Sequence, residues 1–147
     1  MTKKERNDYL YVCSLVEYIA RRTNNRRGAV VTALGKEGVR KQLYDAEVNH
    51  CLSFEQVSDE VIGQYQIGQG DFDTITDCKY PVPGVQDIGG LYSIMIEDCA
   101  EPGEEISELM NIFTSFISDE ISDFQTDVYY QNPSYLECSY KAGCLLD

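Results

Sequence analysis

The chain has 147 residues, 43 % of them hydrophobic and 25 % charged, with 25 Asp and Glu against 12 Lys and Arg for a formal net charge of -13. That length suits one domain or two small helical halves, and it buries enough surface to be stable without a disulfide or metal staple. A single histidine excludes metal and catalytic motifs built on two, HExxH proteases and paired Cys/His fingers among them.

In MTKKERNDYLYVCSLVEYIARR the apolar residues Leu10, Cys13, Val16, Ile19 and Ala20 recur at steps of three and four, which predicts a helix from Lys3 to about Arg22. Asp8 and Glu17 interrupt the apolar run, and its longest uncharged stretch, Tyr9 to Val16, falls well short of the roughly twenty residues a membrane span needs. Nor does a small-residue cleavage site follow it. The expectation is a soluble, cytoplasmic protein with no membrane partner. Thr23, Asn24 and Asn25 end this helix and offer N-caps to the next. Ala29, Val30, Ala33 and Leu34 predict a short second helix, Gly35 and Gly38 a turn, and Val39, Leu43 and Ala46 a third helix ending near His50.

Charge is segregated along the chain. Residues 1–41 carry ten of the twelve Lys and Arg against four acids, a net +6, and residues 42–147 carry a net -19. Four of the cations fall in RRTNNRRG, residues 21–28. Arg21, Arg22, Arg26 and Arg27, joined by Arg40 and Lys41, form a candidate partner-binding patch. Its setting among short helical turns is one that helix-turn-helix readers share, so a nucleic-acid-binding regulator working through residues 21–41 is the alternative reading. The charge of the remainder opposes a phosphate backbone unless it faces away by more than a Debye length, about 8 Å at physiological salt. Pairing with acids of this chain, or of a second copy in a homodimer, explains the same arginines with no ligand.

Further along, Ser53 and Gln56 have the spacing of a capping box, and Phe54, Val57, Val61, Ile62 and Tyr65 mark a helix to about Gln66. Residues 67–87, rich in glycine and proline, read as a linker between a basic N-terminal half, 1–66, and an acidic C-terminal half, 88–147. Within it residues 71–80 have the composition of a short strand. Asp71, Asp73 and Asp77 resemble a cation loop, yet Ile75 and Val82 stand where an EF-hand needs ligands. No metal or cofactor is expected.

Beyond the linker, Ile88, Leu91, Tyr92, Met95, Ile96 and Cys99 form an apolar stripe with Asp87 as a cap. The stretch from Glu101 to Phe124 predicts one long helix lined by Ile106, Leu109, Met110, Phe113, Phe116, Ile117, Ile121 and Phe124, with its acids off that face. A last helix follows Asn132-Pro133 and stops at Gly143. The tyrosines at 129, 130, 135 and 140 make an aromatic-rich tail, of which Tyr129 and Tyr130 are candidate partner-binding residues. In sum, about seven helices and no defended strand give an all-α irregular bundle. The six cysteines form no CxxC pair and read as reduced, buried small hydrophobes. His50 reads as a helix-end or core residue, and any nucleophilic dyad would have to use it.

The patterns YLYVCSLVEYIA, ALGKEGV and LYDAEVNHCLSFEQVSDEVI, over roughly residues 8–65, resemble a family of small uncharacterised bacterial helical domains often encoded beside toxins of ADP-ribosyltransferase type. Cys51 stands where that family more usually has threonine, and RRTNNRR is a departure from it. The DIGGLYSIMI and NPSYLECSYKAG patterns resemble other uncharacterised bacterial segments. No activity carries over, but a toxin neighbour is implied. The sequence therefore points to a non-enzymatic protein-interaction or regulatory module, antitoxin-like or inhibitory, in which the acidic helical face of residues 97–127 or the arginine patch docks a protein partner, a toxin being the candidate.

Overall fold

The computed structural model describes residues 1–147. Helix α1 (Lys3–Thr23) starts at a capping box: Thr2 Oγ1 accepts the Glu5 N–H at 3.1 Å and Glu5 returns its carboxylate to the Thr2 N–H. Asn24 closes it in the left-handed conformation, φ 54°. Asn24 is thus a C-cap and not the expected N-cap of the next helix; that place is taken by Arg26, whose side chain makes no capping bond.

Helix α2 (Arg27–Asn49) contains both of the next two expected helices as limbs of one kinked rod. The kink lies at Gly35, whose φ of 67° favours glycine. Helix α3 (Phe54–Gln64) opens with the Ser53/Gln56 capping box. Residues 65–84 then run without regular structure, and no strand forms at 71–80. Nor is the segment a free linker. The Gly70 and Phe72 amides donate to Thr23 O and Asn24 O at 2.8 and 2.9 Å, lacing it across the joint between α1 and α2. A Cβ at Gly70 would come within 2.3 Å of Asn25 Oδ1, so the strap approaches this closely only as glycine.

Helix α4 (Val85–Cys99) starts with the Asp87 carboxylate accepting the Gly84 N–H at 3.1 Å. The long helix expected over 101–124 is two, α5 (Glu105–Thr114) and α6 (Phe116–Ser122), broken at Ser115. Thr114 and Ser115 hydroxyls donate to the carbonyls of Met110 and Ile112, local bonds that compete with helix continuation. Gly28 of α2 lies against this break, where a Cβ would meet Phe113 O at 3.0 Å. A 3-10 turn at Val128–Tyr130 leads to α7 (Pro133–Ala142), capped by Asn132 and closed by Gly143 at φ 81°.

The molecule is all-α, as the periodicity predicts. Its two ends share one core: 28 buried hydrophobic residues, from Tyr9 to Leu136, form a single cluster. Helix α1 packs chiefly along α4 and α2, and α5 against α2 and α4. Tyr92 and Phe113 stack at the centre, 4.3 Å apart. No helix is long and apolar enough to cross a membrane. The cysteines depart from expectation. Only Cys13 is buried, while Cys78 and Cys99 are half-buried and Cys51, Cys138 and Cys144 exposed, because they fall on outer faces or helix ends.

Candidate functional site

The six cations of the expected patch do not make one surface. Arg27, the first residue of α2, turns inward and is 3 % exposed. Its Nε donates to Glu17 Oε1 at 2.5 Å, and its Nη1 to Ser118 O at 2.8 Å, Ser122 Oγ at 2.7 Å and the Tyr92 hydroxyl at 3.1 Å. The Tyr92 hydroxyl in turn donates to Ser118 Oγ at 2.9 Å. Burial presses the Arg27 guanidinium towards neutrality, but Tyr92 and Glu17 outweigh it and hold its pKa above the ordinary arginine value. Burial likewise pushes the Tyr92 phenol up, against the nearby charge of Arg27.

Arg21, half-buried, donates through Nε to the second oxygen of Glu17 at 2.7 Å and through Nη2 to Pro83 O at 2.6 Å. One buried carboxylate therefore ties the last turn of α1 to the start of α2, and Arg21 ties both to the entry of α4. Paired and hydrogen-bonded in this way, the buried charges avoid the penalty an isolated ion would meet.

Arg22, Arg26, Arg40 and Lys41 stay exposed, but each has an acid of this chain. Arg22 pairs with Asp59 at 2.5 Å and donates to Ser58 Oγ at 2.7 Å. Arg26 lies 3.3 Å from Asp119 and sits over the Phe72 ring of the strap, 4.5 Å from its centroid. Arg40 pairs with Glu37, and Lys41 with Asp45 at 2.8 Å. Acids of this chain, distant in sequence for Arg22 and Arg26 and near for the other four, account for the whole basic cluster. Tyr129 and Tyr130 lie elsewhere, in edge contact at 4.9 Å; Tyr129 is half-buried and Tyr130 stands 65 % exposed.

Glu17, Tyr92, Ser118 and Ser122 were not legible as site residues. A signal existed for Glu17, which stands four residues after Cys13 and three before Ala20 and so falls inside the apolar stripe of α1. An acid there demands a cation, and Arg21 four residues on is the local one, but nothing local points to Arg27 as the buried partner.

The remaining candidates have structural work. Asp73 accepts the Ile75 and Thr76 amides at 2.9 and 3.0 Å together with the Thr76 hydroxyl, and these bonds, the hydroxyl foremost, lower its pKa. No three His, Cys, Asp or Glu side chains are grouped to hold a metal ion. His50 is the exposed C-cap of α2, in edge contact with Tyr11. Burial pushes the Cys99 thiol up to about 11, which keeps it protonated at neutral pH. At the same end of the bundle Glu137 of α7 faces Asp98 of α4, and burial, aided by that neighbour, raises the Glu137 carboxyl to about 7.

No protein-family model, curated protein or solved structure matches the chain.

Proposed function

We propose that this protein is a non-enzymatic interaction module whose acidic surface docks a basic protein partner. The observation that carries this reading is the internal neutralisation of the cations. Arg21, Arg22, Arg26, Arg27, Arg40 and Lys41 each face an acid of the same chain. The surplus of negative charge is left for the surface.

That surplus is concentrated on residues 97–127, which hold ten acids and no Lys or Arg. Only Glu97 and Asp119 among them are ion-paired. An acidic face of this kind steers a positively charged partner by long-range attraction and imitates a phosphate backbone at a basic active site. It favours protein over nucleic acid as the partner, because a phosphate chain needs cations that are not already engaged. The resemblance of residues 8–65 to domains encoded beside ADP-ribosyltransferase-type toxins makes such a toxin the first partner to try.

The test is a nuclease-treated pull-down from the native cell at two salt concentrations, followed by titration of the purified partner against the wild type and a Glu101→Gln/Glu104→Gln variant. A stoichiometric basic protein, released at high salt and bound about tenfold more weakly by the variant, is the expected result. Recovery of nucleic acid alone, lost on nuclease treatment, overturns the reading.

A further inference from the structure

The Glu17 cluster does not end in solid core. It forms the inner wall of a cavity of about 250 Å³ whose outer side is the strap, residues 72–76, and whose remaining wall includes Phe124. Two features of that cavity point to a ligand.

Its donors are incompletely used. Arg27 spends Nε and Nη1 inside the protein, and Arg21 spends Nε and Nη2. Nη2 of Arg27 and Nη1 of Arg21 donate to nothing in the chain, although both residues line the cavity. Nor is the Arg27 nitrogen sealed into the core, since the only fully enclosed side-chain polar atom without a partner is Oε2 of Glu137, at the other end of the molecule. A nine-tenths-buried guanidinium with an open edge on a cavity is a site for an acceptor.

Its charge and shape restrict the acceptor. Two guanidinium groups against the Glu17 carboxylate leave the inner wall with a single positive charge; the strap adds a second acid, Asp73, whose oxygens already accept the Ile75 and Thr76 amides and the Thr76 hydroxyl. A monoanion balances the inner wall, whereas a second negative charge would meet Glu17 on one side and Asp73 on the other. Phe72, Ile75 and Phe124 supply apolar wall. The volume lies below the roughly 300 to 1,000 Å³ of drug-sized pockets, so the occupant has few heavy atoms.

We propose that this cavity binds a small organic monocarboxylate. Its carboxylate oxygens accept from Arg27 Nη2 and Arg21 Nη1, and its short hydrocarbon body lies against Phe72 and Phe124 under the strap. Binding here is independent of the docking reading: either can fail without the other.

The test is titration of the ¹⁵N-labelled protein with butyrate at constant ionic strength, following the arginine Nε–H resonances, with inorganic phosphate and butylamine as parallel probes. The expected result is a saturable shift at Arg21 and Arg27 with butyrate alone, with a dissociation constant on the order of 1 mM or tighter. Arg21→Gln should weaken it about tenfold. Thr74→Phe, which fills the cavity from the irregular strap without touching the ion pairs, should abolish it and carries the test if Arg21→Gln does not fold. No saturable shift, saturation by phosphate without butyrate, or undiminished binding by the folded variants overturns the proposal.

Discussion

Glu17 and Arg27, ten positions apart on consecutive helices, meet at 2.5 Å with 3 % of each residue exposed. The Arg27 guanidinium continues to Ser118 and Ser122, so one side chain joins α1, α2, α4 and α6. Glu17→Leu strips Arg27 of its counter-charge in the core and should cost about 3 to 5 kcal/mol. Arg27→Met should cost less, because Arg21 still faces the carboxylate. The double variant Glu17→Leu/Arg27→Met should recover most of the loss. Urea unfolding midpoints of the four proteins, at an unchanged slope, measure all three expectations; an additive double variant would sink the account.

Two adjacent glycines of α4 should respond oppositely to alanine. A Cβ at Gly89 would fall 2.1 Å from Ser14 Oγ and 2.8 and 2.9 Å from the backbone N and Cα of the same residue. Because backbone is in the way, Gly89→Ala must spread α1 from α4, at a cost of about 1 to 3 kcal/mol that Ser14→Ala does not relieve. At Gly90 the nearest atom is 3.9 Å away, so Gly90→Ala should gain roughly 0.5 to 1 kcal/mol of helix propensity. Thermal unfolding of the two single variants and of Ser14→Ala/Gly89→Ala checks this.

The Glu137 carboxyl makes stability depend on pH in a stated window. Burial and the facing Asp98 raise it to about 7 from an ordinary 4.5, against the opposing pull of Lys141. The folded chain thus holds this proton more tightly than the unfolded chain does. The resulting stabilisation is complete below about pH 4.5, shrinks as pH rises through 7 and is gone above it. Glu137→Gln should flatten that loss and gain about 1 kcal/mol at pH 8, well under the roughly 3 kcal/mol that the full rise would give in a sealed site, because the group is partly solvated. Urea midpoints of wild type and variant at pH 5 and pH 8 give the comparison; parallel declines in both would count against it.

Thiol labelling should divide the cysteines by their surroundings. Cys51, Cys138 and Cys144 are exposed and should react in the native protein, whereas Cys13 is buried, with its thiol pushed up by burial, and should react only on unfolding. Mass-spectrometric mapping after a short alkylation, with and without urea, reads the order. Native labelling of Cys13 at the rate of Cys138 would contradict the packing of α1.

Helices were legible wherever their causes lie within a turn or two of chain. The stripe of Leu10, Cys13, Val16 and Ile19, the Ser53/Gln56 box and the Asn132-Pro133 start with its Gly143 stop are local devices, and each appears where the pattern placed it. The break at Ser115 was not legible, because the apolar periodicity runs through it unchanged and the contact of Gly28 with Phe113 and Thr114 comes from more than 80 positions away. The kink at Gly35, by contrast, stood where a glycine marked it but joined two limbs instead of separating two helices.

By itself the sequence determined an all-α chain without a membrane-crossing helix and with its cations gathered near one end, since composition and short-range periodicity suffice for that. Tertiary structure alone decided which cations remain at the surface. Arg26 and Arg27 are neighbours with the same side chain, yet one sits over Phe72 in solvent and the other is enclosed by Glu17, Tyr92, Ser118 and Ser122. The difference arises because Arg26 is the extended N-cap residue and Arg27 the first helical one, so their side chains leave the backbone in different directions, and only the packing of α2 against α1 and α5 brings one of them onto a buried carboxylate.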